Sequence, residues 1–196
     1  MGETGMMRRI TLVLLFVLLP LLAISCGGEK EKEAEVETGG QAGTKEEGIA
    51  FVDEEVSYGL FFDEEGTKRT IKLGRGEDQF TGYLYLICPE YKEIASTQFR
   101  LEMPEGIVIA NDNYRMDRVM SMGTFQRGIA ERYTPCVPGP KILLHTFTFK
   151  VTAPLDNAVF TILPSLDAQF LVVTECKEGY PMIRASAYKA VVNPSD

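Results

Sequence analysis

The chain holds one histidine, His145, and four cysteines, Cys26, Cys88, Cys136 and Cys176, so material for a catalytic or metal centre is scarce. A Ser-His-Asp triad of the elbow type would need a G-x-S-x-G nucleophile turn, and none occurs. Neither H-E-x-x-H nor a P-loop is present. Zinc sites draw on several His or Cys ligands, which one histidine cannot supply, and no C-x-x-C exists to suggest a zinc ribbon or a thioredoxin-like centre. His145 shares a face with Leu143, Phe147, Phe149 and Val151 in a strand-like run, with Thr146, Thr148 and Lys150 opposite. That placement predicts a core or boundary ring hydrogen-bonded to a neighbour.

Carboxylates are plentiful: Asp53-Glu54-Glu55, Asp63-Glu64-Glu65, Glu77-Asp78, and Asp112 with Asp117. A glycosidase needs two carboxyl groups about 5–10 Å apart across a cleft, and a hydrolase built on such a pair is the alternative function the sequence leaves open. Consecutive acids alternate faces along a strand, which makes solvated loop and edge charges the simpler account. Asn111-Asp112-Asn113 has the oxygen density for calcium but not the spacing of an EF-hand loop, so no metal and no cofactor is expected. Tyr91, Tyr114, Tyr133 and Tyr180 fall in or beside expected loops. They are the candidate ligand-binding residues, either as rings that stack on sugars or as half-buried loop anchors. The absence of Trp weighs against sugar stacking.

The elements that would carry these residues begin after an address segment. Arg8 and Arg9 precede the apolar run Ile10 to Ile24, whose fifteen residues as a helix reach about 22 Å, short of a hydrocarbon core of about 30 Å. A basic start, a short apolar stretch and small residues at its end mark a secretory signal over residues 1–25. The end, Leu22-Ala23-Ile24-Ser25-Cys26-Gly27, resembles the lipobox of bacterial lipoproteins. The resemblance implies that Cys26 is acylated and that the protein is exported and held on a membrane by lipid. Gly27 is not the Asp that retains some lipoproteins at the inner membrane, so the outer membrane or cell surface is the expected address. Residues 26–48 read as a disordered tether, with seven Glu, three Lys and no aromatic residue. The chain as a whole is acidic, with net charge −8, and a nucleic-acid partner, which calls for a clustered basic face, is not expected.

Residues 49–196 read as one β domain, long enough to bury about 68–70% of their unfolded surface. Thr97 to Met103 alternates apolar and polar; Tyr58–Phe62, Tyr83–Cys88, Leu143–Val151, Ala158–Leu163, Phe170–Thr174 and Ile183–Val192 are further strand runs. Turn signals separate them at Glu65-Gly66, Gly74-Arg75-Gly76, Pro104-Glu105-Gly106, Pro138-Gly139-Pro140 and Glu178-Gly179. Tyr114 to Tyr133, with Met116, Met120 and Met122, reads as two short strands, because Gly123, Thr124 and Gly128 weaken a helix.

Gly59-Leu60-Phe61-Phe62-Asp63, the run Ala95 to Met103, Cys136-x-x-Gly139-Pro140, Leu143-Leu144-His145-Thr146-Phe147 and Val172-Val173-Thr174-Glu175-Cys176 together resemble secreted bacterial β-sandwich proteins. These are similar in strand pattern to cohesin-type and related carbohydrate-binding modules. The resemblance covers roughly Tyr58 to Cys176 and implies an all-β fold, a single sandwich of cohesin-like or immunoglobulin-like type. Cohesin modules pair with dockerin repeats or sit on scaffolding proteins. With Cys26 given to lipid, Cys88, Cys136 and Cys176 remain, so the count allows one pair and a leftover thiol, or no pair. Cys136 and Cys176 are the two that match the resemblance and sit at strand edges beside turns, and a Cys136–Cys176 disulfide is expected from it. Cys88, in phase with Leu84 and Leu86, reads as a buried small hydrophobe. The expectation for the whole is a non-enzymatic, lipid-anchored envelope module that binds a protein or a glycan or is purely structural. A subunit that adds an edge strand to a neighbour's sheet is the other alternative to the carboxylate-pair hydrolase.

Overall fold

The computed structural model describes residues 51–114 and 118–193. The signal segment, Cys26, the tether, the boundary at residues 48–49, Met116 and Asp117 lie outside the described residues. Among the described residues there are ten strands and no helix: β1 (Phe51–Phe61), β2 (Thr70–Ile71), β3 (Gln79–Glu102), β4 (Ile107–Tyr114), β5 (Arg118–Thr124), β6 (Gly128–Val151), β7 (Ala158–Leu163), β8 (Val172–Glu175), β9 (Met182–Tyr188) and β10 (Ala190–Val192).

The 24-residue strands β3 and β6 run antiparallel to each other and organise the rest. The first half of β3, Gln79–Ile87, lies between Lys141–Lys150 of β6 and β1, and β1 pairs in parallel with β9. Its second half, Ile94–Phe99, lies between Ile129–Val137 of β6 and β8, and the end of β3 pairs with β7. Both long strands therefore change partners midway and serve the two layers of a β-sandwich, with β4 and β5 added to the two halves of β6. The change falls at a break in the ladder between Ile87 and Lys92. Pro89 lies in that break, Pro140 lies opposite it and Pro138 borders it across from Glu93, where missing N–H donors cost the ladder little.

That geometry corrects two readings of the sequence. Pro138-Gly139-Pro140 is not a turn between strands but part of the bend by which β6 passes from one layer to the other. Leu143 does not share the inward face of His145, because a register shift opposite Leu84 and Tyr85 places Leu144 and His145 both inside. The other strand runs are found, with β8 beginning at Val172 and the last run divided by Lys189 into β9 and β10. The two short strands expected between Tyr114 and Tyr133 are β5 and the start of β6. Strand β4 is not among the strands expected from the sequence, although Ile107-Val108-Ile109 is β-branched throughout.

The core runs the length of the β3–β6 pair. At one end Phe80, Phe149 and Phe160 stack within 4.9–6.3 Å of one another, with Phe62 against Phe80 and Phe160. Burying such rings contributes about 1.5–3 kcal/mol each. At the other end the inward residues are partly polar, and the candidate site lies there.

Candidate functional site

From Ser96 to Gln98 and along their partners in β5, β6 and β8 the strands alternate across the sheet, so the ladder register fixes which side chains meet on each face. On the outer face one row runs Met120, Arg132, Ser96, Thr174, Met182, from β5 through β6, β3 and β8 to β9. The next row runs Met122, Ala130, Gln98, Val172, Arg184. A shallow groove of about 220 Å³ lies along these rows. Met120 and Met122 are 53% and 64% exposed, an uncommon state for two neighbouring large apolar side chains. They are presented by a hairpin that requires glycine: Gly123 has φ +95°, and a Cβ there would meet the Gly128 carbonyl oxygen at 2.1 Å. A second groove continues the face, lined by Ala95, Ser96, Arg132, Thr174 and Tyr180. Tyr180 is 57% exposed and has φ +47°, a left-handed conformation that bulky residues rarely adopt.

The inner face of the same strands holds a chain of buried polar groups. His145 Nδ1 lies 2.7 Å from Asp112 Oδ1, and its Nε2 lies 3.0 Å from Glu131 Oε2. The Tyr133 hydroxyl donates to the same Glu131 oxygen at 3.0 Å, so Thr97 Oγ1, 3.0 Å from that hydroxyl, is the donor to it. With both carboxylates ionised each can only accept, both ring nitrogens then carry hydrogen, and His145 is an imidazolium. Burial works against its charge, but the hydrogen bonds and charges of Asp112 and Glu131 outweigh burial and raise its pKa above the usual value. Phe147 stacks on the ring at 5.2 Å, and Phe125 meets it edge-on at the same distance.

The arrangement has no chemistry of the triad kind. Both ring nitrogens are committed to carboxylates, so neither can take a proton from a nucleophile. Asp112 and Glu131 face each other across His145, not across a cleft. Asp63, in one of the acidic clusters, accepts the Thr67 and Lys68 amides at 2.9 and 2.7 Å and fixes its own loop. Slight desolvation acts the other way, but a bond from the Thr67 hydroxyl and those two amide bonds hold its carboxyl below the ordinary range. Among the described residues no group of three or more His, Cys, Asp or Glu is placed to hold a metal ion.

No family model matches the chain, and no curated protein matches it. Solved structures do. The seventh ScaB type I cohesin of Pseudobacteroides cellulosolvens superposes with a TM-score of 0.51 at 10% identity, over 72% of this chain and 92% of that one. The cohesin module of a family 33 glycoside hydrolase from Clostridium perfringens gives 0.50 at 9% identity, over 72% and 99%. The fold is a cohesin-type β-sandwich. At these identities the likeness is one of architecture alone.

Of the four tyrosines singled out in the sequence, Tyr180 lines the cohesin-type sheet's outer groove. Tyr91 and Tyr114 are exposed but lie outside both groove linings. Tyr133 is not a surface ring: it is 2% exposed, because its place in β6 points inward and its hydroxyl is satisfied by Glu131 and Thr97. Cys136 and Cys176 are joined, with Cα atoms 6.2 Å apart, and the bridge ties β6 to the segment just after β8. Cys88 is buried. The outer rows escape a sequence reading because their members come from five strands. The one local signal is Met120-x-Met122, two apolar residues in strand phase with no polar-out reason to be there.

Proposed function

We propose that this chain is a non-catalytic protein-binding module that docks its partner on the outer face of β8, β3, β6 and β5 and is carried outside the cytosol on lipid at Cys26. The observation that carries the reading is the pair of cross-strand rows, where exposed Met120 and Met122 flank Arg132 with Tyr180 at the far groove. Met, Tyr and Arg are the types enriched in interface centres. With β9 at the edge of this face, five neighbouring strands at about 4.8 Å spacing span about 20 Å, the scale on which a partner buries about 800 Å². The polar chain beneath holds the strands in fixed register, so little conformational freedom is lost on docking. The cohesin-type fold, together with the strand pattern that resembles cohesin modules, favours a partner of dockerin type over a glycan. The lipobox at Cys26 and the acidic tether supply the anchor and the spacer, and two or three acyl chains suffice for durable attachment.

The test uses the full chain, extracted in detergent and immobilised. It should retain a protein from its own cell envelope that the double variant Met120→Asp, Met122→Asp retains about tenfold less, a loss of about 1.4 kcal/mol. Both proteins should melt alike. Equal retention by the two, retention by neither, or retention of glycan alone overturns the docking face. Separately, Cys26→Ser should move the protein from the membrane to the soluble fraction, and persistence on the membrane overturns the anchor.

A further inference from the structure

We infer that Asp112, His145 and Glu131 form a proton-operated clasp that fastens the end of β4 to the inside of the sandwich and releases it when His145 becomes neutral. Among the described residues β4 pairs only with β6, and its ladder is broken between Ile109 and Asn111. The segment Asn111–Tyr114 is thus a separate short ladder beyond that break. Asn111, Asn113 and Tyr114 are exposed, and Asp112 is the one side chain of the four that turns inward. Its bond to His145 therefore ties this ladder to the core, whereas the first part of β4 is held by buried Ile107.

The two carboxylates are not equivalent. The Glu131 side chain is 1% exposed and also accepts from Tyr133, whereas the Asp112 side chain is 22% exposed. When the imidazolium gives its proton to solvent, the neutral ring keeps one N–H. Retaining it at Nε2 preserves the bond to Glu131, the carboxylate that cannot reach water. The lone pair of Nδ1 then faces Asp112 Oδ1 at 2.7 Å, two acceptors in contact. Asp112 can relieve this by turning to solvent, and Glu131 cannot. The release is directional for that reason.

The groups that face the ring from the packed elements are Asp112 on β4, Glu131 and Tyr133 on β6, and the uncharged rings of Phe99, Phe125 and Phe147. Tyr58 on β1 interacts with Tyr133, Glu131 and the buried Cys88 of β3, and burial raises its hydroxyl well above the ordinary range, so it stays neutral. The raised pKa of His145 favours the closed clasp. The clasp stands whether or not the outer face docks a partner.

Because His145 is the only histidine, its ring signals in a nuclear magnetic resonance spectrum of the full chain are unambiguous. They should titrate with a midpoint above about 6.5. Through that midpoint the amides of Asn111–Tyr114 should lose hydrogen-exchange protection while those of Phe160 and Ile162 keep theirs. Asp112→Ala should lower the midpoint and speed exchange in Asn111–Tyr114 about tenfold at pH 7, through loss of one charge-assisted hydrogen bond. A midpoint at or below about 6.5, unchanged protection through it, loss of protection across all core amides together, or an unshifted midpoint in the variant overturns the clasp.

Discussion

The two ends of the β3–β6 pair fill the same sandwich in opposite ways. At one end Phe80, Phe149 and Phe160 meet at 4.9–6.3 Å with no polar atom among their side chains. At the other, Thr97, Tyr133, Glu131, His145 and Asp112 form a hydrogen-bonded line between strands. Apolar packing is non-directional and tolerates a change of shape, whereas a buried charged line accepts only one arrangement of donors and acceptors. The polar end lies directly beneath the proposed docking face, and the disulfide closes on the same half of β6. The hydrogen-bonded line thus lies under the surface that the proposal needs held in register, and plain apolar burial fills the other end.

The comparison breaks most visibly at Glu131. Glu131→Ala removes the more deeply buried of the two carboxylates on His145 and leaves the ring's Nε2–H and the Tyr133 hydroxyl without that acceptor, an expected loss of about 3–5 kcal/mol in denaturant unfolding. A loss below about 1 kcal/mol would mean that the line is packing and nothing more. Next comes the disulfide. It closes a loop of 40 residues, so the double variant Cys136→Ser, Cys176→Ser should lose about 4 kcal/mol on the chain-entropy account, read from the same unfolding curves. If reduction leaves the midpoint unchanged, the bridge is not what constrains this half. At the apolar end Phe80→Leu keeps most of the volume, and the expected loss stays below about 1.5 kcal/mol. A larger loss there than at Glu131 would reverse the contrast between the two ends.

How much of this was legible in the sequence follows the same divide. Apolar alternation carries strand phase, so Thr97–Met103 and Ala158–Leu163 could be read directly, and Cys136–Cys176 followed from a resemblance in pattern. Residue type alone does not carry partner exchange. The prolines at 89, 138 and 140 mark a break in pairing, but nothing local says that the strand resumes beyond it in the other layer. The buried line was half legible: His145 announced itself as a core ring, yet its partners sit 33 and 14 residues away on β4 and β6, and only the register brings them to it. Tyr133 failed as a surface ring for a related reason, since two residues of strand phase from Glu131 place both on the inner face. The outer rows were least legible, because a surface assembled from five strands has no sequence neighbourhood of its own.

The smallest predicted effect is the dependence of stability on pH, and it separates the two ends most cleanly because only one of them titrates. The pKa of His145 is raised in the folded chain, since its bonds to Asp112 and Glu131 outweigh the opposing effect of burial. A group with a raised folded pKa binds its proton more tightly in the native than in the unfolded state. Its contribution is fully present below the unfolded value, about 6.5, and is lost as pH rises from there through the folded pKa. Unfolding free energy measured from pH 6 upward should therefore fall, by no more than about 1.4 kcal/mol per pH unit for one proton. Phe80→Leu should shift that curve down without changing its slope, because the apolar end exchanges no proton. Asp112→Asn should flatten it, because the native imidazole then has one carboxylate in place of two. A slope that survives Asp112→Asn, or stability that rises with pH over this range, would assign the titration to some other group and leave the polar line without its charge.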